Sequence, residues 1–295
     1  MFVLAHLSDL HLASQPRLAQ LVGKRGLGFI NWQRKRKYIH RPEVLEAITR
    51  DLKASRFDHI AVTGDLVNLS LPTEYARARA WLQTLGNAHD VTVVPGNHDV
   101  YVRAAEQLPA EFWGDYMRGD DGPDRFPFVR RRGNVALIAL STGLPTGPFM
   151  ATGRLGARQL SRFADALEQT QGLFRIVLIH HPPMSPLRRH LRRLVDGPQL
   201  RRVLAAKGAE LLLHGHDHRR AVVWLDGARG KIPAVGVPSA SARARHGEED
   251  EAGYNIFRIE DATGNGALKT WHCEMIARRR DADGNVGDAE RRTLF

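Results

Sequence analysis

Five short apolar runs along the chain each end next to polar residues of metal-ligand types. The runs cover residues 2–7, 60–63, 91–94, 176–179 and 211–213. Short runs rich in Val, Ile and Leu are typical of buried strands. In α/β proteins the functional groups lie just past the carboxyl ends of such strands, where loops from several strands meet around one crevice. The pattern therefore predicts one site built from five loops.

The polar residues after these runs have the chemistry of a two-metal site. In chain order they are Asp9 and His11, Asp65, Asn97 with His98 and Asp99, His180, and His216 with His218. Asp, Asn and imidazole suit Mn, Fe(II), Zn or Co, whereas thiolates would select softer metals. Two such ions about 3.5–4 Å apart can bind phosphoryl oxygens and lower the pKa of a bridging water. Asp65 is the natural bridging carboxylate, because it stands alone after its strand and Gly64 lets the backbone come close.

The order of these motifs resembles that of the calcineurin-like metallophosphoesterases, whose pattern runs D-x-H, G-D-x-x, G-N-H-D/E, a lone His after a strand, and G-H-x-H. The match extends from Asp9 to His218. The resemblance implies two ligand sets that share one carboxylate. The sets are Asp9, His11, Asp65 and His218 for the first ion, and Asp65, Asn97, His180 and His216 for the second.

The same resemblance implies a different role for His98. Its ring would face the phosphate, where it stabilises transition-state charge or protonates the leaving oxygen, and Asp99 would orient that ring. Purple acid phosphatases, which are relatives, carry a Tyr that binds ferric iron at the position of Asn68. The Asn in this chain therefore favours a divalent pair, with Mn preferred. His181, His214 and Asp217 are left out of the expected ligand sets.

We therefore expect a binuclear metal-dependent phosphoester hydrolase, most simply a phosphodiesterase, with in-line attack by a metal-bridging hydroxide. Class III cyclic nucleotide phosphodiesterases resemble the chain most in motif detail. Three alternatives stay open: a lipid-linked pyrophosphatase similar to UDP-2,3-diacylglucosamine hydrolases, a DNA or RNA nuclease, and a non-catalytic scaffold. A scaffold is expected to lack at least one of the seven ligand residues, and all are present.

The segment most informative about substrate covers residues 13–42, directly after the first motif. It holds eight basic residues and no acidic one, with Leu27, Phe29, Ile30 and Trp32 among them. Because this insertion starts two residues after His11, it is placed to form a rim or cap over the phosphate. It could steer a nucleotide, rest on an anionic membrane, or bind nucleic acid. A solvated loop packed on the body is the fourth reading.

Periodicity and the resemblance together predict an α/β fold, a four-layer α/β/β/α sandwich of two mixed β-sheets flanked by helices. Helical stripes cover residues 42–54, 73–85, 156–170 and 187–206, with a break at Gly197-Pro198. Later strands are expected over residues 221–225, 232–237, 254–259 and 268–275. We expect a single domain over residues 1–277, followed by a polar C-terminal stretch over 278–295 that frays or forms a short extension.

Composition adds little to this picture. The formal net charge of +11 attracts phosphates, membranes and nucleic acids without specificity. The single cysteine, Cys273, cannot form an internal disulfide, which fits a reducing compartment. The chain starts directly on a predicted strand, with no signal-peptide pattern. We expect a cytoplasmic protein, with peripheral contact to the inner membrane face as an open alternative.

Overall fold

A computed structural model of the protein describes residues 1–122, 125–185, 187–262 and 270–295. The strands over these residues are β1 Phe2–Leu7, β2 His59–Val62, β3 Val91–Val93, β4 Phe128–Arg132, β5 Val135–Ala139, β6 Phe174–Leu178, β7 Leu211–His214, β8 Ala221–Gly227, β9 Gly230–Gly236, β10 Gly253–Asp261, β11 Trp271–Arg280 and β12 Val286–Thr293. The α-helices are α1 Lys24–Asn31, α2 Lys37–Ile39, α3 Pro42–Ala54, α4 Pro72–Leu85, α5 Leu108–Trp113, α6 Ala157–Gln169 and α7 Gly197–Lys207.

The strands form two mixed sheets of six strands each. The first has the order β12-β11-β10-β1-β2-β3, and the second has the order β4-β5-β6-β7-β9-β8. Strands β1, β2 and β3 run parallel, as do β5, β6, β7 and β9, whereas the remaining pairs are antiparallel. The parallel strands of each sheet therefore bring the predicted site loops to one edge of that sheet.

The two sheets pack face to face, with helices on their outer sides. Leu4 and Phe257 of the first sheet share one buried cluster with Phe174 and Ile176 of the second. Val177, the neighbour of Ile176, belongs instead to a second cluster with residues of α6 and α7. Side chains alternate between the two faces of a strand, so β6 is buried on both sides, and its sequence is apolar except for Arg175, which pairs with Glu210. The expected four-layer sandwich is confirmed.

The predicted helices form where the apolar stripes place them. Helix α3 has the expected bounds, and Val44, Leu45, Ile48 and Leu52 are its buried face. The predicted break at Gly197-Pro198 is the start of α7, since Pro fits the first turn of a helix, where its missing N–H has no partner to lose. The stretch before it is a 3-10 helix, Leu187–Arg192.

Two parts of the chain differ from the sequence prediction. The expectation that residues 278–295 form a fraying polar extension is wrong, because β11 continues to Arg280 and β12 pairs with it as the edge strand of the first sheet. Charged side chains are suited to an exposed edge, where they prevent pairing with other chains. Strands β4 and β5 were not anticipated. Residues 268 and 269 of the predicted strand 268–275 lie outside the described residues.

The basic insertion is mostly helical and not an irregular loop. Helix α1 continues into a short π-helix, Trp32–Arg36, and then into α2. Among the described residues, no helix is long and apolar enough to cross a membrane. That the chain forms a single domain stays a prediction.

Arg278 ties the C-terminal strands to α3, and its loss is expected to destabilise the fold. Its guanidinium donates to both Asp51 oxygens at 3.1 and 2.6 Å, and Tyr254 donates to Asp51 at 2.6 Å. We expect Arg278→Ala to lower the free energy of unfolding by about 2 kcal/mol, since a partly buried carboxylate loses its charged donor. Urea denaturation measures this. The control is Arg291→Ala, which removes an exposed pair with Asp288 and should cost no more than about 0.5 kcal/mol.

Candidate metal centre

The seven predicted ligands meet between the carboxyl ends of strands from both sheets. The first sheet contributes Asp9 and His11 after β1, Asp65 after β2 and Asn97 after β3. The second sheet contributes His180 after β6 and His216 with His218 after β7. All seven side chains are buried. The structure therefore brings together every residue that the motif pattern singled out.

The backbone at these residues is strained. Seven described residues other than glycine have a positive φ, and five of them are predicted ligands: Asp9, His11, Asp65, His216 and His218, with φ between 50° and 67°. The left-handed region is unfavourable for residues with a Cβ. Such strain persists only where the surrounding structure enforces it, and it concentrates at functional sites. The fold thus holds these residues in unfavourable backbone conformations that direct their side chains into the site.

Glycines allow the loops to approach one another closely. A Cβ on Gly96 would lie 2.2 Å from Asp65 Oδ1, and one on Gly215 would lie 2.4 Å from Asp9 Oδ2. Both distances are far below van der Waals contact. The two carboxylates therefore occupy space that any larger residue at these positions would fill.

Three of the histidines are held from outside the site. His180 Nδ1 donates to Thr63 O at 2.6 Å, and His216 Nε2 donates to Arg192 O at 2.8 Å. His218 Nδ1 donates to Glu249 Oε2 at 2.9 Å. A proton placed on the outer nitrogen leaves a lone pair on the inner one, as in the outer contacts that orient metal-binding histidines.

The inner nitrogens converge in two places. His180 Nε2 lies 3.2 Å from His216 Nδ1 and 3.4 Å from Asp65 Oδ2. His218 Nε2 lies 3.1 Å from His11 Nε2 and 3.1 Å from Asp9 Oδ1. Lone pairs that face one another at this distance repel unless a proton or a cation lies between them. The residues therefore fit a metal ion on each side.

Ligand grouping and an orphaned amide oxygen agree with this fit. Asp65, His180 and His216 can hold one ion, and Asp65 also joins His11 and His98 in another group, with the ligand atoms of each group within 4.8 Å of one another. Asn97 Oδ1 is buried and has no hydrogen-bond partner among the described residues. A buried acceptor without a donor is costly, and a bound cation would satisfy it.

The electrostatics of the site attract positive charge. Burial disfavours the charged form of His180, but the negative charge of Asp65 outweighs it and raises the pKa to about 9. Burial acts in the same way on His218, and Asp9 and Glu249 raise its pKa to about 9. The three carboxylates thus stabilise positive charge near the positions where the inner nitrogens meet.

His98 has a different outer partner from the one expected. Its Nδ1 donates to Asn68 O at 2.6 Å, whereas Asp99 accepts the backbone N–H groups of Asp65, Leu66, Val67 and Gly96 at 2.8 to 3.1 Å. This corrects the expected contact between Asp99 and the His98 ring. Asp99 instead joins the β2 loop to the β3 loop, because a carboxylate can accept several backbone donors at once.

Two histidines that were left out of the expected ligand sets have other hydrogen-bond partners. His181 uses both ring nitrogens, with Thr142 Oγ1 at 2.7 Å and Ala151 O at 3.1 Å, so no lone pair is left for a metal. His214 is buried, with Nδ1 3.1 Å from Gly215 O. Both are satisfied histidines outside the metal groups.

Three residues of the site were not singled out from the sequence. The guanidinium of Arg36 donates to His98 Nε2 at 2.7 Å and lies 3.0 Å from His11 Nε2. The His40 ring lies 4.4 Å from that of His11, centroid to centroid, and forms a group of potential ligands with His11 and His218. Glu249, the partner of His218, comes from a loop with no motif. Only the basic character of the insertion hinted at Arg36.

Two strained, motif-bearing sheet edges with Asp and His ligands define a metal-dependent phosphoester hydrolase. The family model described as calcineurin-like phosphoesterase matches residues 2–220 of the 295. The chain belongs to the calcineurin-like phosphoesterase family. Members use divalent metals, and the donor set present here fits such ions.

Similar proteins cover most of the chain. A probable cyclic nucleotide phosphodiesterase from Synechococcus is 27% identical, with 87% of each chain covered. Another from Rhodococcus erythropolis is 26% identical, with 88% of this chain and 80% of the relative covered. Among solved structures, the yellow lupin purple acid phosphatase PPD1 aligns over 99% of this chain with a TM-score of 0.63 at 13% identity, and the chain spans 53% of its length. That likeness concerns the fold alone.

Adding one methyl group at Gly96 should disrupt the centre. We expect Gly96→Ala to displace Asp65 and to lower the metal content of the purified protein at least tenfold. Mass spectrometry of the bound metals, with circular dichroism to check folding, measures this. Gly114→Ala is the control, since a Cβ there meets nothing within 4 Å. Full metal content in Gly96→Ala would show that Asp65 tolerates displacement.

Proposed function

We propose that the protein is a phosphodiesterase with two divalent metal ions that share Asp65. The observation that carries the proposal is the membership of Asp65 in two groups of potential ligands, one with His180 and His216 and one with His11 and His98. Asp9 and His218 complete the ligand set on the side of His11, and Asn97 completes it on the side of His180 and His216, whereas His98 faces the substrate. The scaffold alternative is disfavoured, because all seven ligand residues are present and converge.

The metal-binding residues open into a cavity of about 260 Å³. Its walls include Asp65, Asn97, His216 and His218 together with Arg36 and His98. When bound, two divalent ions supply a nucleophile at neutral pH and neutralise charge on the phosphoryl oxygens. The side chains then have to hold the phosphate in line and assist departure of the leaving oxygen. Mn is the metal that we favour for this ligand set.

Arg36 is the candidate for holding the phosphate. Among the described residues no carboxylate lies within ion-pair distance of its guanidinium, which faces imidazole nitrogens instead. Burial lowers the pKa of Arg36, and Asp65 and Glu249 offset this only in part from beyond ion-pair distance, so an arriving anion would stabilise its charge. The planar fork of an Arg side chain matches two phosphate oxygens. We therefore assign Arg36 to the phosphate of the substrate.

His98 is placed to act on the same group. Its outer nitrogen is fixed on Asn68 O, so Nε2 is the atom that points into the cavity. Burial and the nearby Arg36 lower its pKa to about 3, which keeps the ring neutral before substrate binds. A phosphate anion that pairs with Arg36 would weaken this repulsion and favour a proton on Nε2. The leaving oxygen can take that proton or be stabilised by it.

The names of the relatives support diesters as the substrate class. Both are called probable cyclic nucleotide phosphodiesterases and align along most of this chain. We expect metal-stripped enzyme reconstituted with Mn to cleave bis(p-nitrophenyl) phosphate faster than p-nitrophenyl phosphate. Asp65→Asn should lose both ions, since it weakens their common carboxylate, and it should be inactive. A preference for the monoester, or two retained ions with full activity in Asp65→Asn, would contradict the proposal.

Substitution of His98 or Arg36 should lower activity without loss of metal, unlike substitution of a metal ligand. We expect His98→Ala to keep both metals while turnover falls about 10²-fold, as for loss of an acid–base group. Arg36→Ala should keep the metals and raise KM at least about tenfold, as for loss of a charged contact to phosphate. Steady-state kinetics beside metal analysis distinguish the two. Arg34→Ala, on the exposed face of the same π-helix, is the matched control and should resemble the wild type. Metal loss in His98→Ala would make His98 a ligand.

A further inference from the structure

Exposed apolar side chains gather around the mouth of the cavity. Fourteen large apolar side chains are exposed among the described residues, and ten of them lie in only three segments: residues 18–38, residues 149–150, and residues 184–185 with 190–195. Single exposed apolar residues are ordinary, but a concentrated patch marks an interaction surface. These three segments are called the rim below.

Hydrogen bonds join the three segments of the rim to one another. Lys24 Nζ donates to Thr146 Oγ1 at 2.7 Å and to Met150 O at 3.2 Å. Backbone bonds link Ala151 N to Leu191 O at 2.8 Å and Val195 N to Gly153 O at 2.9 Å. Arg36, Ala151 and Arg192, one from or beside each segment, also line the cavity. The rim is therefore one continuous surface around the entrance.

The continuous stretch of α1, the π-helix and α2, called the insertion helix below, presents different residues on its two sides. Arg36 reaches into the cavity, and Gly28 packs against Tyr101, where a Cβ would lie 2.6 Å from the hydroxyl. Leu27, Ile30 and Arg34 are exposed on the opposite side, at the i, i+3, i+7 spacing of one helical face. A face of aliphatic and basic side chains is typical of helices that lie in the interface of an anionic membrane.

Phe149 stands out in the second segment. Its side chain is 84% exposed and its backbone is held at φ 62°. A bulky residue is unfavourable in this conformation, and exposure of the ring to water adds to the cost. Insertion of the ring among lipid chains would remove the free-energy cost of its exposure to water.

The charges and the side-chain types of the rim favour a membrane over nucleic acid. Residues 13–42 contain no acidic residue, and Arg17, Arg34 and Lys35 are exposed. Unspecific binding of single strands depends on exposed aromatic rings that stack on bases. In the insertion Phe29 and Trp32 instead stack on each other, 5.7 Å apart, and both are half-buried, so that Tyr38 is its single exposed aromatic ring. The exposed apolar residues are mostly aliphatic, which suits hydrocarbon.

We infer that the rim docks on an anionic phospholipid surface, so that the enzyme takes a lipid-borne phosphoester into the cavity from that surface. Docking does not depend on the proposed function, whereas the choice of a lipid phosphoester rests on it. Apolar side chains would enter the headgroup and acyl boundary, and the basic side chains would contact anionic headgroups.

Vesicle sedimentation tests the inference without any catalytic readout. The probes are vesicles of phosphatidylcholine alone and of equal parts phosphatidylcholine and phosphatidylglycerol. We expect the wild type to bind only the anionic vesicles. Leu27→Ser/Ile30→Ser and Arg17→Glu/Arg34→Glu should each lower the partition constant at least about tenfold. Matched controls away from the rim are Val223→Ser/Trp224→Ser, exposed on β8, and Arg50→Glu/Lys53→Glu, exposed on α3. Both controls should bind as the wild type does.

Several results would overturn docking by the rim. They are no vesicle binding by the wild type, equal loss in the α3 charge control, or unchanged binding in the Leu27→Ser/Ile30→Ser variant, which would leave only unspecific charge attraction. Binding to a single-stranded oligonucleotide without vesicle binding would favour nucleic acid instead. Hydrolysis of the soluble diester is measured in parallel. Vesicle binding by a wild type that cleaves no diester would refute the proposed function and leave docking standing, whereas cleavage without vesicle binding would do the reverse.

Discussion

The contact between the two sheets at His180 is the constraint on which the site depends. His180 follows a strand of the second sheet, yet its Nδ1 donates to Thr63 O and its Nε2 faces Asp65, both of the first sheet. The ring is fully buried, so water cannot replace these two partners. It therefore fixes how far apart the sheet edges lie, and the two groups of ligands form around that distance. A core of interlocked apolar side chains keeps the sheets in this register.

The fold and most of the site follow from local sequence patterns. Apolar runs of strand length and Pro-initiated helices arise from short-range preferences, and the ligands stand directly behind the runs. The whole set of motif residues was found in this way because each is defined by its neighbours along the chain. Strand β12 escaped prediction for a related reason. Its sequence is mostly polar and charged, without an apolar alternation, so that only its pairing with β11 and the bond from Arg278 to Asp288 identify it as a strand.

What the sequence did not show depends on long-range geometry. The partner of Asp99 could not be read from its position beside His98, since the four backbone donors it accepts come from two loops that meet only in the folded state. Glu249 reaches His218 across 31 residues without any motif. Arg36 was one of eight basic residues in the insertion, and nothing in the composition distinguished it from the exposed ones. The π-helix turns it inward and leaves Arg34 outside.

The width of the insertion helix sets the distance between a surface that contacts its outer face and the cavity on its inner side. One side of this helix offers Arg36 to the cavity and the other carries Leu27 and Ile30 outward. A helix with its side chains is about 10–12 Å across. Any surface that meets the outer face is thus separated from the phosphate contact that we propose for Arg36 by about the thickness of one helix. The cavity could then bind only those groups of an embedded molecule that project from the surface by about this distance. The helix would thus act as a spacer that selects substrates by how far their phosphate projects.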